Sequence, residues 1–109
     1  MDLLKTEFIP GEPSILLLQG EIDISTAEDL RVVLDRSLAA DPRLVVDMAG
    51  VTFIDACGLR VVLDAAASLN GARPLRLINA RRVARMLQIV GLDDIPSLDV
   101  SDRGAPGGG

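Results

Sequence analysis

The chain has 109 residues, of which 49% are hydrophobic and 2% aromatic, and its net charge is −5. This is the length of one small domain with an aliphatic core; the lack of Trp and Tyr and the acidic balance argue against base stacking, nucleic acid and anionic membranes. With no histidine and one cysteine, Cys57, it has no Ser-His-Asp or Cys-His catalysis, no histidine metal site and no internal disulfide.

Met1 to Lys5 lacks the basic start and long apolar run of a signal peptide, and no apolar run approaches the roughly 18 residues needed to cross a bilayer. With the single cysteine, this predicts a cytoplasmic protein. Leu3 to Ile9 reads as a first strand, followed by a turn at Pro10-Gly11-Glu12-Pro13. Ile15 to Leu18 is a second strand, closed by Gly20, with Glu21 to Ile24 as a link. Ser25-Thr26-Ala27-Glu28 has the S-x-x-E form of a capping box, so a helix is expected to start there. Ala27, Leu30, Val33, Leu34 and Leu38 share one face of it, and Asp41-Pro42 ends it.

Leu44 to Val46 is a short interior strand, followed by a turn centred on Gly50. A second helix is expected from about Cys57 to Asn70, with Gly71 after it and an apolar stripe of Leu59, Val62, Leu63, Ala66 and Leu69. Leu75 to Ile78 is a fourth strand. Asn79 then has the residue type of an N-cap for a third helix, with Val83, Ala84, Leu87 and Val90 inward and Gly91 beyond. Ile95 to Val100 is a last strand, and Pro96 suggests a sheet edge. Residues 101–109 form a Gly-rich tail expected to be disordered, leaving residues 1–100 as the domain. The order β-β-α-β-α-β-α-β implies an α/β fold, with parallel strands after an antiparallel first pair.

The start of the second helix is the main chemical feature. Free N–H groups and the helix dipole favour negative charge there, so Cys57 lies where a phosphate, a phosphoserine or a reactive thiolate would be expected.

Three segments carry a resemblance over residues 3–100. Val45 to Leu59 includes Asp55-Ala56-Cys57-Gly58-Leu59. The others are Gly20-Glu21-Ile22-Asp23-Ile24-Ser25-Thr26-Ala27 and Leu87-Gln88-Ile89-Val90-Gly91-Leu92. In this order they resemble the STAS domain of bacterial anti-sigma factor antagonists, where the first segment reads Asp-Ser-Ser-Gly-Leu or Asp-Ser-Thr-Gly-Leu. The resemblance implies a single STAS domain with a mixed, mostly parallel sheet of four to five strands and three to four helices. It also implies a non-enzymatic role. Such a domain binds an anti-sigma factor, a GHKL-type serine kinase, and releases a sigma factor by partner switching. The kinase phosphorylates the Ser or Thr before the Gly, and the added charge breaks the complex. Carried over to this chain, the partner surface comprises Asp23, Ile24, Ser25, Thr26, Asp55, Ala56, Cys57, Gly58 and Leu59, extended by Arg60 and Val62. No cofactor or metal is implied, and the expected state is a monomer or weak dimer.

Here the pattern is broken: Cys57 occupies the phosphoacceptor position and Ala56 the place before it, so neither offers a hydroxyl. Thr52 is the nearest hydroxyl in this segment. Cys57 reads as a small, partly buried filler of the serine's place, or as a redox sensor at a helix start. Cysteine phosphatase chemistry would need Cys-x5-Arg, and the matching residue is Leu63. Asp23 and Asp55 complement helix starts or meet the partner. Arg81, Arg82 and Arg85 read as a solvated face, with Asp93 and Asp94 available to pair with them. The other roles implied are a scaffold in a signalling complex and an accessory subunit of a lipid-transport ABC system.

Overall fold

The computed structural model describes residues 4–92 and 94–104. Their element order is β1 (Leu4–Ile9), β2 (Ile15–Ile22), α1 (Ala27–Ala40), β3 (Val45–Ile54), α2 (Ala56–Ala67), β4 (Leu75–Ile78), α3 (Arg81–Ile89) and β5 (Leu98–Val100). The element order is the expected one. The five strands lie side by side as β1-β2-β3-β4-β5. β1 is antiparallel to β2, and every later pair is parallel.

Each parallel step crosses over through one helix, and all three steps move the same way across the sheet. Right-handed crossovers then place all three helices on one face. The core reflects this. Leu16, Leu18, Val46, Met48, Leu75 and Leu77 pack in one cluster with residues of α1, α2 and α3, such as Leu34, Val62 and Val83. Ile15, Leu17, Asp47 and Arg76 alternate with the core positions along their strands, so they face away from the helices and are half-buried.

Several element limits differ from those expected. β2 continues through Gly20 to Ile22, and β3 continues through Gly50 to Ile54. Gly50 is therefore a strand residue, not the centre of a turn. A Cβ there would lie 3.1 Å from the Leu18 carbonyl oxygen and 3.0 Å from Gln19 Cγ, so the glycine permits a close approach of β2. The pairing shifts register between Leu17 and Gln19 and again between Gly20 and Glu21. Such bulges bend strands and re-aim side chains, and they lie just before the ends of β2 and β3.

The helix termini also differ. Thr26 rather than Ser25 precedes α1, with no side-chain cap. α2 ends at Ala67, followed by a turn in which Asn70 (φ 53°) and Gly71 (φ 76°) are both left-handed. Asn79 does not cap α3. It is left-handed (φ 52°), and its Nδ2 donates to Asp47 Oδ1 at 3.0 Å, so Ala80 takes the cap position. At the other end of α3, Leu92 N–H donates to the Leu87 carbonyl (2.8 Å) and Gly91 N–H to that of Gln88 (3.2 Å), with Gly91 at φ 77°. This double closure is a Schellman motif. It turns the chain before Val90 can reach the core, and Val90 is exposed rather than inward.

β5 is a three-residue edge strand, shorter than expected. The start of the expected tail is tied down: Ser101 N–H donates to the Leu77 carbonyl, and the Ser101 and Arg103 carbonyls accept from Ala80 and Asn79. Leu3 as a strand residue, the N-terminal reading at Met1 to Leu3, pairing by Asp93 and disorder of residues 105–109 lie outside the described residues.

Candidate partner-binding surface

The two motif segments meet at the ends of β2 and β3. Ile22 pairs with Ile54, and Asp55 N–H donates to the Ile22 carbonyl at 3.1 Å. This contact brings Asp23 to Thr26 beside Asp55 to Leu59.

The first segment is a hydrogen-bonded turn. Asp23 Oδ1 accepts from Ser25 N (2.9 Å) and Ser25 Oγ (2.6 Å). Thr26 Oγ1 accepts the Asp23 N–H at 3.0 Å and donates to the Glu21 carbonyl at 2.9 Å. The expected capping box is not formed, because Ser25 is spent on Asp23 instead of the helix. The Ser25 hydroxyl, with backbone N–H groups adding to it against weaker desolvation, holds the Asp23 carboxyl below the usual aspartate range. Ile24 stands out at the tip, 78% exposed.

The second segment is a capped helix start. Asp55 is the N-cap of α2, and its Oδ1 accepts the Gly58 N–H at 3.0 Å. Leu59 N–H donates to the Asp55 carbonyl at 2.9 Å, which closes the first turn. Ala56 and Cys57 lie between these fixed points and are exposed. The reading of Cys57 as a partly buried filler is thus corrected: the residue is exposed. Thr52 is exposed on β3, with its Oγ1 3.3 Å from the Gly20 carbonyl oxygen.

The named residues divide by burial. Ile24, Ser25, Ala56, Cys57 and Arg60 are exposed, and Asp23 and Asp55 are half-buried at the rim. Thr26, Gly58, Leu59 and Val62 are buried. These four shape the surface from beneath and do not form its outer layer. The buried placement of Gly58 follows from its missing side chain, because a Cβ there would run into the Ile22 side chain. Phe53 is exposed beside this surface at the end of β3, and sequence reading did not single it out. Strand length was the missing signal, since β3 was expected to end at Val46. Asp94 makes no ion pair with Arg81, Arg82 or Arg85 among the described residues. No group of residues there is suited to hold a metal ion, and no described helix is long and apolar enough to cross a membrane.

The family model described as "Mlab, STAS domain" matches residues 6–99. The chain belongs to the STAS-domain family. This STAS domain is similar in structure to an anti-sigma factor antagonist from Mycobacterium paratuberculosis. The TM-score is 0.75 and the identity 23%, over 94% of this chain and 87% of that one. It is also similar to the anti-sigma factor antagonist SpoIIAA in its unphosphorylated form. There the TM-score is 0.63 and the identity 22%, over 89% and 86% of the two chains. No curated protein matches this chain significantly. The two solved structures bear out its fold along almost its whole length.

Proposed function

We propose that this STAS domain is an anti-sigma factor antagonist. It binds an anti-sigma factor and frees a sigma factor by partner switching. The observation that carries this reading is the meeting of Asp23, Ile24 and Ser25 with Asp55, Ala56, Cys57 and Arg60 on one surface, joined through the Asp55 N–H and the Ile22 carbonyl. Its likeness to two solved antagonists supports the same reading. The partner is a GHKL-type serine kinase, and the contact residues are Asp23, Ile24, Ser25, Asp55, Ala56, Cys57 and Arg60. Thr26, Gly58, Leu59 and Val62 hold them in place.

Cys57 sets this antagonist apart. A serine kinase transfers phosphate to a hydroxyl oxygen, and position 57 has none, so the protein stays competent to bind in the presence of ATP. Pull-down of a GHKL-type anti-sigma factor by the wild-type chain, with and without ATP, tests this. Capture is expected in both conditions, and strong weakening by Cys57→Asp or Asp23→Ala. Wild-type capture by Cys57→Asp would contradict the proposed surface, and stoichiometric phosphate on the wild-type chain would contradict constitutive competence.

A second reading is favoured by the same residue. A scaffold role, or a place as a small component of a lipid-transport ABC system, requires no phosphoacceptor. Co-purification separates the classes: an ATPase-fold anti-sigma factor supports the first reading, and a transporter ATPase the second. Thiol control is a variant of the first. Unchanged partner affinity after mild peroxide, with Cys57 confirmed oxidised, would dismiss it.

A further inference from the structure

A cleft of about 360 Å³ lies between β3 and the start of α3, lined by Met48, Ala49 and Val51 on one side and by residues 79–83 and Arg85 on the other. β4 pairs with β3 only from Val45 to Asp47, then the chain turns away at Asn79 in its left-handed conformation. β3 continues to Ile54 with β2 as its only strand partner among the described residues. The cleft therefore occupies the place where β4 would have continued. Ala49 N–H donates to Asp47 Oδ1 at 3.0 Å, a side-chain substitute for the ladder that stops there. An interrupted ladder of this kind can accept an added strand.

The charge of the cleft is opposite to that of the chain. The net charge is −5, yet three arginines line the cleft, Arg81, Arg82 and Arg85, and the carboxylate at its edge, Asp47, is already held by the Ala49 N–H and Asn79 Nδ2. All three are exposed, and none is in an ion pair among the described residues. Arg31 and Arg76 are the arginines that do pair there, both on carboxylates outside the cleft. Guanidinium groups favour bidentate contact with carboxylates. Arg81 and Arg85 are one helical turn apart, about 6 Å at the Cβ atoms. Same-face side chains on a strand recur every two residues, at about 7 Å. An extended segment with alternating acidic residues matches both the strand edge and the arginine spacing.

We propose that this cleft receives an extended acidic segment of a partner protein, which adds to β3 along Met48 to Val51 and sets its carboxylates against Arg81, Arg82 and Arg85. The proposal does not depend on the antagonist reading, and its residues are separate from Asp23 and Cys57.

The test uses the full chain and a fluorescent peptide of about ten residues alternating Glu and Val, matched to the strand period. Salt-sensitive binding is expected, with slowed amide exchange at Met48 to Val51. The Arg81→Gln and Arg85→Gln variants, with unchanged circular dichroism, are expected to weaken binding at least about tenfold each, as loss of a close charge pair does. A peptide with proline at the valine positions lacks those N–H donors and is expected to bind at least as much more weakly. Equal binding of the proline peptide, or indifference to both arginine variants, would overturn the proposal. So would arginine-dependent binding of inorganic triphosphate with none of the peptide, which would make this a small-anion site.

Discussion

Gly58 rests on Ile22 with no room for a side chain between them. A Cβ at 58 would overlap the Ile22 side chain, and it would lie 3.1 Å from both the Ile22 carbonyl oxygen and Ile54 Cγ1. One residue of α2 thereby locks the helix start onto the ends of β2 and β3, where the two motif segments meet. Gly58→Ala is expected to destabilise the fold by about 1–3 kcal/mol, because the close neighbours include a backbone oxygen that cannot rotate away. Denaturant unfolding measures it, and a midpoint equal to wild type would contradict the packing described.

Thr26 is a second fixed point. It is buried, and its hydroxyl both accepts from Asp23 N–H and donates to the Glu21 carbonyl. Thr26→Val keeps the shape and removes both bonds, leaving partly buried polar groups unpaired, with an expected cost of about 1–3 kcal/mol. Thr26→Ser is expected to retain most of the stability. If the valine and serine variants unfold at the same denaturant concentration, the hydroxyl does not hold this turn.

Acid sensitivity is expected from Asp41. The Ser14 N–H (2.7 Å) and the Arg43 N–H (2.9 Å) donate to its carboxylate and hold its pKa below the ordinary aspartate range. A depressed folded-state pKa gives stability that is present above the unfolded value, about 4, and is lost as pH falls through the lower folded value. Asp41→Asn is therefore expected to be less stable than wild type at neutral pH, with a shallower loss of stability below about pH 4. Parallel stability–pH curves for the two proteins would show that Asp41 carries no such linkage.

Restoring a hydroxyl tests the missing switch. Cys57→Ser is expected to accept phosphate from a GHKL-type anti-sigma kinase that leaves the wild-type chain unlabelled, and to lose partner binding on phosphorylation. Phosphate-affinity electrophoresis reads the first effect and pull-down the second. A kinase that labels a control antagonist but not Cys57→Ser would count against this loop as the kinase's target.

Much of this arrangement was legible in the sequence because it depends on short-range rules. Apolar spacing located all three helices, and the separation of strands by helices gave the parallel order. Asp55 followed three residues later by Gly58 is a helix start that both the pattern and the hydrogen bond agree on. The errors fell where a distant neighbour decides. Gly50 reads locally as a turn, but the approach of Leu18 and Gln19 makes it a strand residue. Asn79 has the residue type of an N-cap, but Asp47, thirty-two positions earlier, takes its side chain. Ser25 fits a capping box, but Asp23 competes for its hydroxyl. The burial of Gly58, Leu59 and Val62 under the surface also required the sheet, since the motif alone does not separate contact residues from their supports.

The hydrogen bond from Gly58 to Asp55 passes over residues 56 and 57 without using either side chain. The shape of the loop is set by its two ends, and position 57 is chemically unassigned by the fold. A hydroxyl, a thiol or a carboxylate can occupy it on the same backbone frame, so one residue can change the chemistry this helix start presents while the loop beneath it keeps its shape.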